Sequence, residues 1–257
     1  MQVISNARVT RRRRSKQAAD DPATEFKVLQ NLSDHPHQNL LSLVDKFEDD
    51  KKVYFVMPLA SGGDLLSSVE RHSNGLSDSL TRDILKQLVG ALQHLHKLGW
   101  QHGDISLENI LLMSPGDFSC VTLCDFGLAA RMGSPGRSVG KSMYMSPEEI
   151  ATANLYSTST PTKFSTSAAQ DIFSLGVSMF ITLFGFPPFD VARDTDLNYR
   201  TLSINKEKYL GNLKKWGVPE SKVRLPIVTL LIDMMDKDAA KRPTLTNILE
   251  FLARSIK

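Results

Sequence analysis

The chain is short of cysteine and of long apolar runs, and each shortage excludes something. Two cysteines in 257 residues, Cys120 and Cys124, are too few for a disulfide-stapled secreted scaffold. They lie four apart in what reads as a strand, with Cα atoms roughly 13 Å apart at the rise of extended chain. A disulfide spans less than about 7 Å, so reduced thiols in a reducing compartment are expected. The longest apolar run, Ile172 to Phe186, is broken by Ser174, Gly176, Ser178 and Thr182 and follows Asp171. It is too short and too polar for a bilayer and suits a buried central helix. No charged start leads into an apolar core, so no secretory signal is expected. The expectation is a soluble cytoplasmic protein, with nuclear access left open.

What is present is ordinary globular material. Hydrophobic residues make up 41% and charged residues 23%, which argues against general disorder and against a fibre. The length suits one large domain or two lobes sharing a cleft. The net charge of +3 is local. Arg8, Arg11, Arg12, Arg13, Arg14 and Lys16 stand in the first sixteen residues with no acid among them, so the rest of the chain sums to −3. The arginine run reads as a solvated linker; substrate, nucleic-acid or import contact has little support.

Asp21 before Pro22 starts a helix through Leu32, with Phe26, Val28 and Leu29 on its apolar side and Glu25 pointing elsewhere. Leu40 to Val44 and Val53 to Met57 are β-rich runs around a hairpin at Glu48 to Lys52. Ser61-Gly62-Gly63-Asp64 is a hinge. Ile84, Leu85, Leu88, Val89, Leu92 and Leu95 form a helical stripe started by Ser77 or Ser79. Ile110 to Met113 and Cys120 to Cys124 are two further strands, and Gly133 to Pro147 is a loop. A buried helix runs from Asp171 to Gly185, and Thr244 caps a last helix to about Ile256. His94 and His96, two apart on a helix, share no face, so no metal pair is expected. The fold class is α+β: a small β-rich piece over residues 1–59 and a larger helical piece over 60–257, with a cleft between them as the ligand site.

The chemistry concentrates in His102-Gly103-Asp104-Ile105-Ser106-Leu107-Glu108-Asn109 and, sixteen residues later, Asp125-Phe126-Gly127. One aspartate can orient and deprotonate an attacking hydroxyl, while an asparagine and a second aspartate offer hard oxygen ligands to Mg²⁺ on nucleotide phosphates. This order resembles the eukaryotic protein kinase family, whose loops read H-R-D-x-x-x-x-N and D-F-G. Tyr144-Met145-Ser146-Pro147-Glu148 is similar to the family's Y-M-A-P-E. Asp171-Ile172-Phe173-Ser174-Leu175-Gly176 is similar to D-x-W-S-L-G. Phe186-Pro187-Pro188-Phe189 and Lys241-Arg242-Pro243-Thr244 fall in matching places, with Arg242 as the partner of Glu148. Upstream, Glu25 to Leu29 resembles helix C, His35-Pro36 the turn behind it, and Met57 to Asp64 the gatekeeper, hinge and ribose-side acid. The flavour is serine/threonine, nearest the calmodulin-dependent group.

The resemblance implies a two-lobe kinase fold with an incomplete small lobe, ATP and Mg²⁺ as cofactors, and a protein substrate. It implies neither a membrane nor a nucleic acid as partner and leaves oligomeric state open. Asp104 would be the base, Asn109 and Asp125 the Mg²⁺ ligands, and Glu25 the helix-C partner of the strand-3 lysine. Met57, Ala60 and Leu111 would surround the adenine, Asp64 would face the ribose, and Cys124 would be shielded by nucleotide. His102, Phe126, Leu29 and Leu43 would stack as a spine between the lobes.

Several positions depart from the family pattern. Gly103 replaces the arginine that reads activation-loop phosphate, so Ser134, Ser138 and Ser142 are not expected to switch the enzyme there. Ser106 stands where a lysine is usual, and Lys141 where a threonine is usual. No G-x-G-x-x-G occurs, and Gln2 holds the place of the strand-3 lysine; Arg8 or Arg11 could reach Glu25 instead. Three functions follow: a serine/threonine kinase domain, a pseudokinase-like binding module, or, from His-Gly-Asp, a small-molecule phosphotransferase. The last lacks the segments around Glu148, Asp171 and Arg242.

Overall fold

The computed structural model describes residues 2–5, 22–49, 52–153 and 164–254. Met1, the arginine run from Arg8 to Arg14, Asp21, Ile256 and the side chain of Gln2 lie outside what is described. The first lobe contains β1 (Gln2–Ser5), α1 (Pro22–Asp34), β2 (Asp45–Glu48) and β3 (Lys52–Val56). The three strands form an antiparallel sheet in the order β1-β3-β2, with Gln2 opposite Phe55 and Asp45 opposite Val56. Helix α1 packs Val28, Leu29 and Leu32 inward at three- and four-residue spacing. Glu25 falls on that same stripe and is buried at 6% exposure, which corrects the expectation that it points away. Phe26 stacks on Phe55 with ring centroids 5.8 Å apart, fastening helix to sheet.

The strand expected over Leu40 to Val44 is displaced to Asp45–Glu48. Leu40 and Leu41 are buried because the chain there leaves the small sheet. Leu41 N–H donates to the Leu123 carbonyl, and Leu123 N–H donates to that of Asn39. Strand β2 itself, Asp-Lys-Phe-Glu, is exposed throughout, so it carries no apolar alternation to reveal it.

The second lobe opens with α2 (Leu65–Glu70) and α3 (Asp78–Lys97), the latter capped by Ser77. Next come β4 (Trp100–Gln101), a 3₁₀ turn at Leu107–Asn109, β5 (Ile110–Leu112), β6 (Val121–Leu123) and β7 (Ala130–Arg131). Strand β5 pairs with β6 and β4 with β7, both antiparallel. The helices α4 (Pro147–Ala153), α5 (Ala168–Phe184), α6 (Leu197–Ile204) and α7 (Lys206–Lys215) follow. After α8 (Glu220–Val223) and α9 (Pro226–Met234) comes a 3₁₀ turn, then α10 (Leu245–Arg254).

Helix α5 is the axis of this lobe, with every residue from Gln170 to Phe184 buried. It begins three residues ahead of the expected Asp171, because Ser167 and Gln170 form a capping box. Gly185 ends it at φ +81°, and Gly176 lets α9 approach: a Cβ there would lie 2.9 Å from that of Met234. Among the described residues no helix is long and apolar enough to cross a membrane.

One ion pair joins the C-terminal part of the lobe to α4. Arg242, its side chain fully buried, donates to both Glu148 carboxylate oxygens at 2.8 Å, and also to the carbonyls of Asp236 and Ala169. Burial pushes the Glu148 carboxyl up, but the guanidinium's bonds and charge outweigh it and hold the group below the usual range. Removing the guanidinium leaves Glu148, 21% exposed, with its Gln170 bond, so Arg242→Ala should lower unfolding free energy by about 2–4 kcal/mol. Denaturant titration of the two proteins checks this; a loss under 1 kcal/mol would contradict the role given to the pair.

Candidate active site

The site is built outward from Asp171 on the first turn of α5. Its carboxylate, 1% exposed, accepts the His102 N–H at 2.9 Å and the Gly103 N–H at 3.0 Å, and pairs with His96 Nε2 at 2.7 Å. Burial pushes the Asp171 carboxyl up, yet the His96 bond and charge, with the backbone bonds, hold it below the usual range. His94 turns elsewhere, to the His35 carbonyl at 2.7 Å. At Gly103 φ is +77°, and a Cβ would sit 2.8 Å from the Leu128 carbonyl oxygen. Glycine takes this conformation at no steric cost, whereas any side chain here would require the Leu128 carbonyl to shift.

His102 is completely buried, which lowers its pKa. Its Nδ1 accepts the Asp104 N–H at 3.2 Å, so Nε2 carries the hydrogen and donates to the Cys124 carbonyl at 3.1 Å. The ring packs on Phe126 with centroids 5.2 Å apart. Leu29 and Phe126 are buried in the same core, with Leu43 half-buried beside it.

Asn109 completes the loop. Its amide nitrogen donates to the Asp104 carbonyl at 2.8 Å and to Asp104 Oδ2 at 2.9 Å. Both amide hydrogens are then spent, which turns Oδ1 to the opposite side. The Asn109 carbonyl accepts the Cys124 N–H at 2.9 Å, bringing Asp125 alongside. Asp125 is exposed, and it is the one non-glycine residue with positive φ, +66°, among the described residues. A residue held in that region marks a site where surrounding structure overrides local preference. An amide oxygen and a carboxylate are hard donors of the kind Mg²⁺ takes, so the residues present fit that ion.

The other predicted residues line the approach. Ser61 and Gly62 N–H groups donate to the Met113 and Leu112 carbonyls, stitching the hinge to β5. Met57, Ala60 and Leu111 are half-buried along this seam. Asp64 bridges Leu111 and also caps α2, with Oδ1 accepting the Ser67 N–H at 2.7 Å. Burial pushes the Cys124 thiol up to about 12, and the charge of Asp125 adds to this. Lys141 opposes that rise, while Glu25 and Asp64 add to it, so four ionisable side chains from four segments act on one thiol. Cys124 therefore stays protonated and is no nucleophile.

Sequence reasoning missed how the loop before α4 is tied down. Ser138 Oγ donates to the Glu149 carbonyl, and Ser174 Oγ to that of Tyr144, both at 2.7 Å. Glu149 Oε2 accepts the Ser146 N–H at 2.8 Å and its hydroxyl at 2.7 Å. Lys141 Nζ donates to Ser106 Oγ at 2.7 Å. Residues 106 and 141 were visible as departures from the pattern; their contact was not.

Glu149 is 5% exposed, and burial pushes its carboxyl up to about 7, with Glu148 and Asp171 adding to the rise while the Ser146 bonds oppose it. A folded pKa above the unfolded value of 4.5 means the native state binds the extra proton between these two values. Stability therefore falls as pH rises from about 4.5 to 7 and stays reduced above it. Glu149→Gln keeps an acceptor for Ser146 and loses the charge. Its stability relative to the parent should rise across that window by on the order of 3 kcal/mol. Denaturant melts at pH 5 and pH 8 test this; parallel curves would refute it.

The family model described as "Protein kinase domain" matches residues 3–251. Probable serine/threonine-protein kinase fhkA of Dictyostelium discoideum is 30% identical over 243 residues, covering 88% of this chain and 40% of that protein. Serine/threonine-protein kinase PLK4 of Nematostella vectensis is 33% identical over 218 residues, covering 83% and 20%. The calcium and calcium/calmodulin-dependent serine/threonine-protein kinase of Pisum sativum is 28% identical over 226 residues, covering 87% and 39%. The chain thus spans less than half the length of these relatives. The crystal structure of Rad53 1-466 in complex with AMP-PNP has the same fold, with a TM-score of 0.66 at 24% identity, covering 96% of this chain and 55% of that one. With motif order, fold and site geometry in agreement, the chain belongs to the protein kinase family, as a domain of the serine/threonine kind.

Proposed function

We propose that this domain transfers the γ-phosphate of ATP, with Mg²⁺, to a serine or threonine hydroxyl of a protein substrate. The observation that carries the reading is the bonded pair Asp104–Asn109 with Asp125 beside it. In the division proposed here, a β-rich lobe over residues 1–59 and a helical lobe over 60–257, these groups would face the cleft between the two. Asp104, exposed enough to meet a substrate, takes the hydroxyl proton as the new O–P bond forms. The bond from phosphorus to the bridging oxygen breaks, and its electron pair leaves with ADP. Asn109 Oδ1 and Asp125 would hold Mg²⁺, which neutralises phosphate charge when bound. Met57, Ala60 and Leu111 offer the half-buried apolar seam that suits an adenine, with Asp64 at its outer end. Glu25 is buried on α1, and Gln2 stands at the sequence position matched to the strand-3 lysine.

The reading is tested by Mg-ATP-dependent phosphate incorporation into a generic basic protein. The parent should exceed Asp104→Asn by at least about 10²-fold, the usual worth of a positioned base. Equal incorporation by the two would overturn the catalytic reading and leave a nucleotide-binding module.

A further inference from the structure

The stretch that bears the candidate catalytic residues is short of positive charge where the proposed reaction needs it. From His102 to Gly127, the stretch that holds Asp104, Asn109 and Asp125, there are four carboxylates and no lysine or arginine. Transfer places a phosphoryl group beside Asp104, and without a cation its oxygens would face Asp104, Glu108 and Asp125. Fixed positive charge at that point is the kind of contribution that dominates such reactions.

Lys141 arrives there from another segment. Its ammonium donates to Ser106 Oγ at 2.7 Å, and Ser106 is buried two residues beyond Asp104. It lies 3.4 Å from Glu108 Oε1, at the looser end of ion-pair range. Its neighbour Gly140, at φ +121°, runs so close to the base that a Cβ there would lie 3.4 Å from Asp104 Oδ1. The Lys141 side chain keeps 39% exposure, so the ammonium is accessible as well as anchored. An ammonium has three hydrogens; Ser106 takes one and Glu108 draws a second, leaving a donor for a further acceptor. Across the cleft, its charge also acts on the Cys124 thiol, next to Asp125.

We propose that Lys141 is a catalytic residue: its ammonium, delivered by the loop before α4 and held by Ser106, contacts the oxygens of the transferring phosphate. This rests on the kinase reading above. It assigns the exchange at positions 106 and 141 a purpose, since the cation has moved from the loop that bears Asp104 to the segment that covers it. Ser106 is the positioning residue, and Glu108 holds the ammonium near its working place before nucleotide arrives. A consequence is that the loop before α4 must be seated for the phosphate to be fully met.

The test separates phosphate contact from a structural strap. Affinities of the full chain for ATP and for ADP, each with Mg²⁺, are measured for the parent, Lys141→Met and the exchange Ser106→Lys/Lys141→Thr. A contact to the terminal phosphate predicts that Lys141→Met loses about tenfold in ATP affinity, as one charge-assisted bond would, with ADP affinity nearly unchanged. The exchange variant should recover the preference for ATP. Equal weakening of both nucleotides, or of neither, would overturn the proposal. Acylation of the unaltered chain, followed by peptide mass analysis, needs no variant to fold: ATP should protect Lys141 and ADP should not. Equal labelling would overturn it again. Because these readouts require no turnover, the result stands apart from the Asp104→Asn comparison. A chain that transfers nothing could still show the ATP-specific contact, and an active one could lack it.

Discussion

The carboxylate of Asp171 is the point on which the loop bearing Asp104 hangs. A buried anion is costly unless donors surround it, and here two consecutive backbone N–H groups and a histidine do so. Since those N–H groups belong to His102 and Gly103, the solvation of one side chain fixes the path of the loop that bears Asp104. The bond could not be made from a mobile element. Helix α5 is the most deeply buried helix of the lobe, and its capping box sets where Asp171 stands. Core packing is thereby converted into placement of a carboxylate some residues away.

A second layer of contacts holds the segment between Asp125 and α4. It is fastened at Tyr144 by Ser174 of α5, at Glu148 by Arg242, and at Lys141 by the catalytic loop itself. The first two of these anchors lie in the interior, and the third ends on a half-exposed ammonium. The first two set the average position of the segment. The third couples that position to whatever occupies the site, since a ligand that draws the ammonium also draws on its bond to Ser106. With Lys141 in its proposed role, stability and phosphate binding meet in one short stretch of polar sequence.

Much of this was legible in the chain because loops that carry chemistry use few residue types at fixed spacing. Asp104, Asn109 and Asp125 announce themselves together, and Arg242 and Glu148 could be paired across the lobe. Helix α5 was visible as an apolar run, missed only by its first turn, which a polar capping box supplies. Glu25 was misplaced because a charged residue on an apolar stripe reads as solvent-facing, whereas the fold buries it with that stripe. Strand β2 was misread for the opposite reason: its residues are all exposed, and the apolar ones beside it serve another core. The carboxyl of Glu149 and the reach of Lys141 are tertiary facts. Both depend on where a loop without regular structure is set down, and no periodicity records that.

The orientation of His102 has a consequence for where protons can go. One ring nitrogen is occupied as an acceptor by backbone, the other donates to backbone, and the ring has no exposure to solvent. It is a rigid strut between two loops, and it offers neither a vacant lone pair nor a releasable hydrogen. In the role proposed for Asp104, a proton taken up there has no imidazole relay behind it. Its way out is through the half-exposed face of Asp104 itself, the same face a substrate hydroxyl would have to meet.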